Sequence, residues 1–382
     1  MIVNATTPAD VRDAVLTARE ADLPFAVYAT GHGGPVPDGD VVVARIDGMG
    51  GVLVDPDRRT AWVGPGTRWA DVIAAAAPFG LAPLSGTSPT VGVIGYALGG
   101  GMGWLSRRYG FAADSVVRAD IVTADGESRT VSADCEPDLF WAVRGGGANF
   151  GAVTGLEFRL YPVSTVHAGV ATFSLDRAAD VLAWYRDSAA GLPDELTANI
   201  VLSKDSLAIR GMYAGGAEDA RRALAPLWRV AGTPLTDGWR TMPYTESGTV
   251  GGTAPRQFHT LNDLPDTVIT AAIDAAHGDA NAVEVRYWGG ALARPDADAG
   301  PIGHRDVPFS IVVDGPADPV IAAHATGGAF LNWLHDPSRT HTAYTAADYA
   351  RLRAVKAAYD PTNLFGLAKN IPPAVRVMSA AS

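Results

Sequence analysis

Apolar positions recur along the chain with two periods, and each period marks a set of elements. Val11, Ala14, Val15 and Ala18 share one helical face. Thr7-Pro8-Ala9-Asp10 supplies the start of that helix, with Thr7 as its cap, Pro8 in the first turn and Asp10 closing a box-like arrangement. Residues 23–28 and 41–46 are apolar runs of strand length. Residues 51–63 predict a hairpin turning at Asp55-Pro56-Asp57. Residues 69–77 predict a short helix. A strand over 120–126 ends in an Asp-Gly turn, and its partner returns to Ser132. A short apolar helix over 137–143 and an alternating strand over 153–160, closed by Pro162, complete this half.

After Pro162 the texture changes and amphipathic segments dominate. Strands are predicted over 171–175, 198–202, 207–212, 283–288 and 308–313, the second and third of them paired. Helices are predicted over 178–189 and 217–230, and residues 294–300 read as an exposed loop. Residues 164–338 thus form a separate α/β or α+β domain. A last helix ends at Pro361.

Three glycine clusters interrupt both periods. The densest has glycine at 86, 92, 95, 99, 100, 101 and 103. Ordering that much glycine is entropically costly, so the stretch is expected to be neither a stable helix nor an ordinary strand. Main-chain N–H groups so exposed make an anion-binding concavity. The expectation is a loop around the diphosphate and ring of a bulky cofactor. The second cluster is Ala29-Thr30-Gly31-His32-Gly33-Gly34 and the third runs from Arg144 to Gly151. Gly99-Gly-Gly-Met-Gly103 follows no strand and misses the Gly-x-Gly-x-x-Gly spacing, which excludes a Rossmann site. No P-loop motif occurs.

Length and charge narrow the picture. At 382 residues the chain is too long for one ordinary core. A net charge of −11 argues against nucleic acid or an anionic membrane as partner. No run approaches ~20 apolar residues, the length that spans a bilayer, and the first residues lack the pattern of a secretory signal. The lone Cys135 allows no internal disulfide and no multi-cysteine metal site, and no histidine pair has metal-ligand spacing. The expectation is a cytoplasmic, metal-free protein. Arginine far outnumbers lysine, and alanine and glycine abound, a usage that matches GC-rich bacteria.

Candidate chemistry is sparse. His32 reads either as a loop histidine or as a nucleophile or ligand presented by glycine. Ser88 lacks a Gly-x-Ser-x-Gly elbow and reads as a turn serine. Cys135 reads as structural. On the strand over 283–288, Glu284 and Arg286 share one face and Tyr287 takes the other. Glu284 is therefore a candidate base or half of an ion pair. Phe258 and Trp288 read as core.

Four ordered motifs carry a resemblance. They are Gly31-His32; Ser88-Pro-Thr-Val-Gly-Val-Ile-Gly with Gly99-Gly-Gly-Met-Gly; Asp138-Leu-Phe-Trp-Ala-Val-Arg-Gly-Gly-Gly-Ala-Asn-Phe-Gly151; and Tyr359-Asp-Pro-Thr-Asn-Leu-Phe-Gly-Leu-Ala-Lys-Asn-Ile-Pro-Pro373. Together they resemble the berberine bridge enzyme-like FAD-linked oxidases over nearly the whole chain. The resemblance implies an α+β fold. A two-lobed FAD-binding domain of the p-cresol methylhydroxylase type would comprise 1–163 and 339–382. A substrate domain built on an antiparallel sheet would be inserted over 164–338.

The resemblance also implies FAD bonded covalently through His32. Ala29, Thr30, Gly31, Gly33, Ser88, Thr90, Val91 and Gly92 would surround the diphosphate and ring, with Gly95 and Tyr96 beside them. Gly146, Gly147, Asn149, Gly151 and Val153 would line the cofactor, and Asn370 would approach the isoalloxazine. Ser88 stands where many members have a second tethering cysteine, so one link is expected. Val91 stands where a small side chain admits oxygen.

Members usually have several dozen residues before their first helix. Their Tyr-x-Asn-Tyr/Phe motif reads Phe330-Leu-Asn332-Trp333 here, without a hydroxyl. Tyr96, Glu284, Tyr287 and Asn332 are then the candidate catalytic residues. The implied reaction passes a hydride from an alcohol or amine carbon of a small molecule, such as a sugar or secondary metabolite, to flavin. O2 then takes the electrons and gives H2O2. A non-redox flavin protein, cyclase-like or binding, and a dehydrogenase with another acceptor are the alternatives.

Overall fold

The computed structural model describes residues 1–34, 36–367 and 369–375; Ala368 of the tail motif lies outside them. Its sheets and helices make an α+β fold with three sheets. Ile2–Asn4, Val42–Arg45 and Phe25–Tyr28 form a parallel sheet with 42–45 in the middle. The helix Pro8–Glu20 covers it with Val11, Ala14, Val15 and Ala18 buried, and Thr7 and Asp10 form the expected capping box. A five-stranded antiparallel sheet has the order Val52–Asp55, Thr60–Val63, Ala152–Arg159, Val116–Val122, Ser128–Ser132. Its central strand, 152–159, is buried at all but its last residue, because both its faces are covered.

Thr165–Phe173 through Phe309–Asp314 build an eight-stranded antiparallel sheet. Period two gives that sheet two unlike faces. Ile200, Leu202, Ile209, Val283, Val285, Ile311 and Val313 share a core with the helices Ala178–Ser188, Ala217–Ala231 and Asp266–His277. Their neighbours Asn199, Arg210, Glu284, Arg286 and Ser310 make a polar opposite face.

The chain's end returns to its beginning. After the helix Ala346–Tyr359, Phe25 N–H donates to Leu364 O (2.9 Å), and the Phe25 and Phe365 rings meet edge-on at 5.4 Å. Lys356, fully buried, donates to Asp360 (2.5 Å), Asn149 O (2.6 Å) and Phe365 O (3.2 Å). Asp360 in turn accepts the Leu364 and Phe365 N–H groups (2.8 and 2.9 Å).

Two expectations are corrected, and two elements are added. The densest glycine cluster does contain a helix, Val93–Leu98. Its one internal glycine, Gly95, is outweighed by the burial of Val93, Ile94, Ala97 and Leu98. The strand expected over 171–175 is Thr165–Phe173, extended by pairing with Ser206–Tyr213. The strand Gln257–Leu261 and the helix Asp266–His277 lie where the apolar pattern gave no prediction.

Candidate active site

Two glycine loops meet at His32. The first leaves the strand Phe25–Tyr28 and turns through Gly31, whose φ of +80° is left-handed. The left-handed backbone favours glycine, and an added Cβ would also push on Tyr28 Oη, 2.7 Å away. His32 is exposed, and its Nε2 lies 3.2 Å from Thr90 Oγ1, which lies 2.9 Å from Ser88 Oγ. The second loop is pinned by N–H donation from Trp69 to Val91 O (3.1 Å) and from Ala70 to Pro89 O (2.8 Å). Gly92 presses on Thr30, where an added Cβ would be 3.1 Å from the side chain. Gly33 and Gly95 face open space, with nothing within 4 Å of a Cβ at either.

Tyr96 is held between Gly86 and Gly101 and meets Trp69 edge-on at 5.5 Å. Its hydroxyl is buried without a hydrogen-bond partner. Burial first, then the Tyr244 hydroxyl nearby, push its pKa well above the ordinary phenol value, against a smaller opposing pull from Arg286. Tyr96 is therefore protonated at neutral pH.

The other catalytic candidates are engaged elsewhere. Asn332 Nδ2 donates to Tyr96 O (3.1 Å) and its Oδ1 accepts from Gly101 N–H (2.9 Å), so it clamps the end of the helix 93–98. Glu284 is fully buried. It accepts from Asn199 Nδ2 (2.5 Å), Arg286 Nε (3.0 Å) and Thr253 N–H (3.2 Å), with Arg210 Nη1 at 3.6 Å. Burial alone would raise its pKa, but Arg286, Thr253 and Arg210 together hold it below the ordinary value. Glu284 is thus anchored by ion pairs and hydrogen bonds. Tyr287 lies on the helix side of the sheet, against Phe309 at 5.4 Å and beneath the Arg107 guanidinium at 5.3 Å.

The third glycine cluster joins the tail to the helix 93–98. Gly147 N–H donates to Leu98 O (2.9 Å), and Gly146 N–H closes a turn onto Ala142 O (2.9 Å). Asn149 gives its amide to Gly146 O (2.8 Å) and Lys369 O (3.0 Å) and accepts from Ile371 N–H (2.8 Å). It is a clasp with no amide proton left for a ligand. Gly151, at φ +154°, lets Ala152–Arg159 join Val116–Val122, since a Cβ would lie 2.5 Å from Val122 O. Val153 is buried in that sheet opposite Ile121. Asn370 Oδ1 is buried and unpartnered.

Phe330 and Trp333 enter an aromatic box. Their centroids are 5.1 Å apart, Phe330 stacks on Phe111 at 5.5 Å, and Phe258 meets Trp333 at 5.1 Å. Phe258 is half-buried, whereas Trp288 is core, its indole N–H donating to Ser310 (2.9 Å).

The two ends of the chain match two family models. Residues 1–132 match the FAD-binding domain, and residues 329–372 match the segment described as berberine and berberine like. The chain belongs to the berberine bridge enzyme-like FAD-linked oxidoreductases. An uncharacterised FAD-linked oxidoreductase of Bacillus subtilis is 27% identical over 98% of this chain and 91% of its own length. Xylooligosaccharide oxidase of Thermothelomyces thermophilus is 27% identical over 98% of this chain and 87% of its own. The structure of 6-hydroxy-D-nicotine oxidase from Arthrobacter nicotinovorans superposes with a TM-score of 0.82 at 25% identity, covering 98% of this chain and 92% of that one.

The residues of this oxidoreductase fit FAD. The open glycines and the two orphaned polar atoms, Tyr96 Oη and Asn370 Oδ1, ask for a large partner with both donors and acceptors. A cavity of about 410 Å³ involving Met49, Trp62 and Asp120 is lined by none of the candidate residues. Among the described residues no helix is long and apolar enough to cross a membrane, and no cluster could hold a metal ion.

Sequence reasoning missed Lys369. Its Nζ donates to Leu331 O (2.5 Å), beside Asn332, and burial pushes it down to about 8. The scarcity of lysine in this arginine-rich chain was the available signal. Thr197 and Asn199, on the polar sheet face, had none.

Proposed function

We propose that this FAD-linked oxidoreductase is an oxidase of small-molecule alcohols or amines that carries its flavin on a single bond from His32. The observation that carries the reading is the row His32–Thr90–Ser88 on two facing glycine loops beside the open Gly33 and Gly95. When bound, FAD supplies the hydride acceptor and passes the electrons to O2, giving H2O2. His32 tethers, and Thr90 orients its imidazole. Ser88, lacking a thiol, leaves one tether. Main-chain amides of 29–33 and 86–92 bind the diphosphate. Val91, half-buried, is the small side chain that would admit oxygen to the ring. Asn370 offers an acceptor to the ring, and Tyr96 a hydrogen-bond donor. A xylooligosaccharide oxidase and a 6-hydroxy-D-nicotine oxidase among the relatives support a substrate among sugars or alkaloid-like molecules.

Denatured protein is expected to stay yellow, with an intact mass one FAD above the chain. His32→Ala is expected to release the flavin on denaturation and leave the fold intact. Colourless protein of bare chain mass, after expression with flavin in excess, sinks the tether. Peroxide release in air with a substrate that bleaches the flavin anaerobically tests the oxidase step; bleaching without peroxide points to another acceptor.

A specific observation favours a second, non-redox reading. Phe330 and Trp333 bring no hydroxyl, and Glu284 is locked in ion pairs. A protein that never bleaches across sugars, alkaloids and alcohols would support it.

A further inference from the structure

The cavity of about 410 Å³ is an open groove lined by no residue of the three glycine clusters, and the oxidase reading makes no use of it. Its volume is that of a small-molecule site, roughly 300–1,000 Å³. Ala61, Val63, Ala119 and Leu156 of the five-stranded sheet share a core with the helix 93–98. Trp62, Asp120 and Gly155 alternate with them and stand on the sheet's other face. Trp62 and Asp120 line the groove there.

A donor and an acceptor converge over Gly155. A Cβ at that position would lie 3.0 Å from Trp62 Nε1 and 3.1 Å from Asp120 Oδ2, so a side chain at 155 would part them. Neither atom is spent. Trp62 joins the sheet through its backbone, and its indole N–H has no hydrogen-bond partner among the described residues. Asp120 Oδ1 accepts from Thr130 Oγ1 (2.8 Å) and Arg118 Nη2 (3.0 Å), whereas Oδ2 has only a longer contact with Arg118 (3.3 Å).

Charge and polarity say which ligand fits. Arg129 is the one cation in the lining, and its nitrogens already go to Thr123, Glu136 and Asp125. With Asp120 in the wall and no free guanidinium, an anion is disfavoured. Arg118 meets the charge of Asp120, and no cluster among the described residues could hold a metal, so a cation is not called for. A wholly apolar body would strip water from the carboxylate and leave it unpaired on that side. Pro8, Met49 and Pro65 nevertheless supply apolar surface in the same groove. A neutral molecule with hydroxyls on one side and C–H groups on the other matches both, and a sugar ring has that form.

We propose that this groove binds a neutral saccharide at a second site, on the far face of the sheet from the helix 93–98. One sugar hydroxyl donates to Asp120 Oδ2, and a sugar oxygen accepts from the Trp62 indole. The ring's C–H groups rest on Met49 and Pro65. The site does no chemistry, and it stands whether or not the oxidase reading does.

The test titrates full-length, flavin-loaded protein with xylotetraose, cellotetraose and maltotetraose by calorimetry, and follows the flavin absorption band in the same samples. At least one tetraose is expected to bind without moving the band. Asp120→Asn keeps the shape and deletes the charge, and should weaken that binding about tenfold or more, the size of one hydrogen bond to a charged group. Trp62→Phe keeps a ring and deletes the N–H, and should weaken it about fivefold. Urea melts check that both variants fold, and bleaching of the flavin by a substrate should proceed in both as in the parent. No binding of any tetraose overturns the proposal. So does an affinity that survives both variants, or one that always moves the flavin band, since either puts the sugar elsewhere. Retention on the insoluble polymer of the bound tetraose, lost in the same variants, assigns the groove to polymer ends. Tetraose binding without retention assigns it to free chains, and both outcomes keep the proposal.

Discussion

The two walls of the candidate site are made of different materials. The wall from residues 29–34 and 86–103 is largely backbone: glycine-rich loops on which His32, Thr90 and Ser88 stand in a row. The facing wall is side chain: Asn199, Arg210, Glu284 and Arg286 on neighbouring strands, joined into one network. The first can hold a large invariant group through main-chain dipoles, and the second can vary its ligand by exchanging residues on a fixed sheet. In the proposed function the cofactor lies on the first wall and the substrate on the second.

If the first wall is backbone, its glycines must differ by position. Gly103→Ala carries the largest expected effect. The added Cβ would fall 1.9 Å from Ser85 O, a main-chain atom that cannot give way. A loss of more than about 4 kcal/mol is expected, read as failure to accumulate soluble protein. Gly95→Ala is the counterpart. It meets nothing within 4 Å and lies inside a helix, so a gain of roughly 0.5–1 kcal/mol is expected. FAD occupancy should nevertheless fall if the methyl enters the space proposed for the ring. Equal outcomes for the two would mean that the wall is not a cradle.

This wall was legible in the sequence because its residue type is its mechanism. Glycine at 31, 92 and 103 announces close approach before any coordinate is known. What the glycine count hid was the helix 93–98, where four buried apolar residues override one glycine. The side-chain wall was not legible. Asn199 and Glu284 are 85 residues apart and meet only through strand register. The face of Glu284 and Arg286 could be read from alternation, but its partners could not. Asn149 and Asn332 show the same limit: their motifs stand out, yet whether an amide faces a ligand or the backbone depends on folding.

The tail locks the first wall, and Lys356→Met tests that lock. With the ammonium gone, Asp360 keeps two main-chain donors but remains a buried charge without its cation. A destabilisation of about 3–5 kcal/mol is expected in urea melts. Lys356→Met/Asp360→Asn should recover part of it. Glu284→Gln on the second wall is expected to cost less, about 1–3 kcal/mol, since an amide oxygen still accepts from Arg286. Turnover of a bleaching substrate should survive, with the change in KM and not in kcat. A kcat fall of a thousandfold would restore Glu284 as the base and erase the division of labour between the walls.

Lys369 tells whether the joint between the walls is dry. Its Nζ reaches Leu331 O, next to the Asn332 clamp, and burial lowers it from 10.5 to about 8. Between those two values the unfolded chain binds a proton that the folded chain does not. Stability should therefore rise with pH from about 8 to 10.5 at this site, and the charged folded form carries a constant penalty below that window. Lys369→Met removes the titration. Its urea midpoint should stand above that of the parent protein at pH 7, relative to the same pair at pH 10.5, and the gap should close across the window. A gap independent of pH would mean that water reaches Nζ. The tail would then be a loose strap over the glycine wall, and FAD retention would have to come from the loops alone.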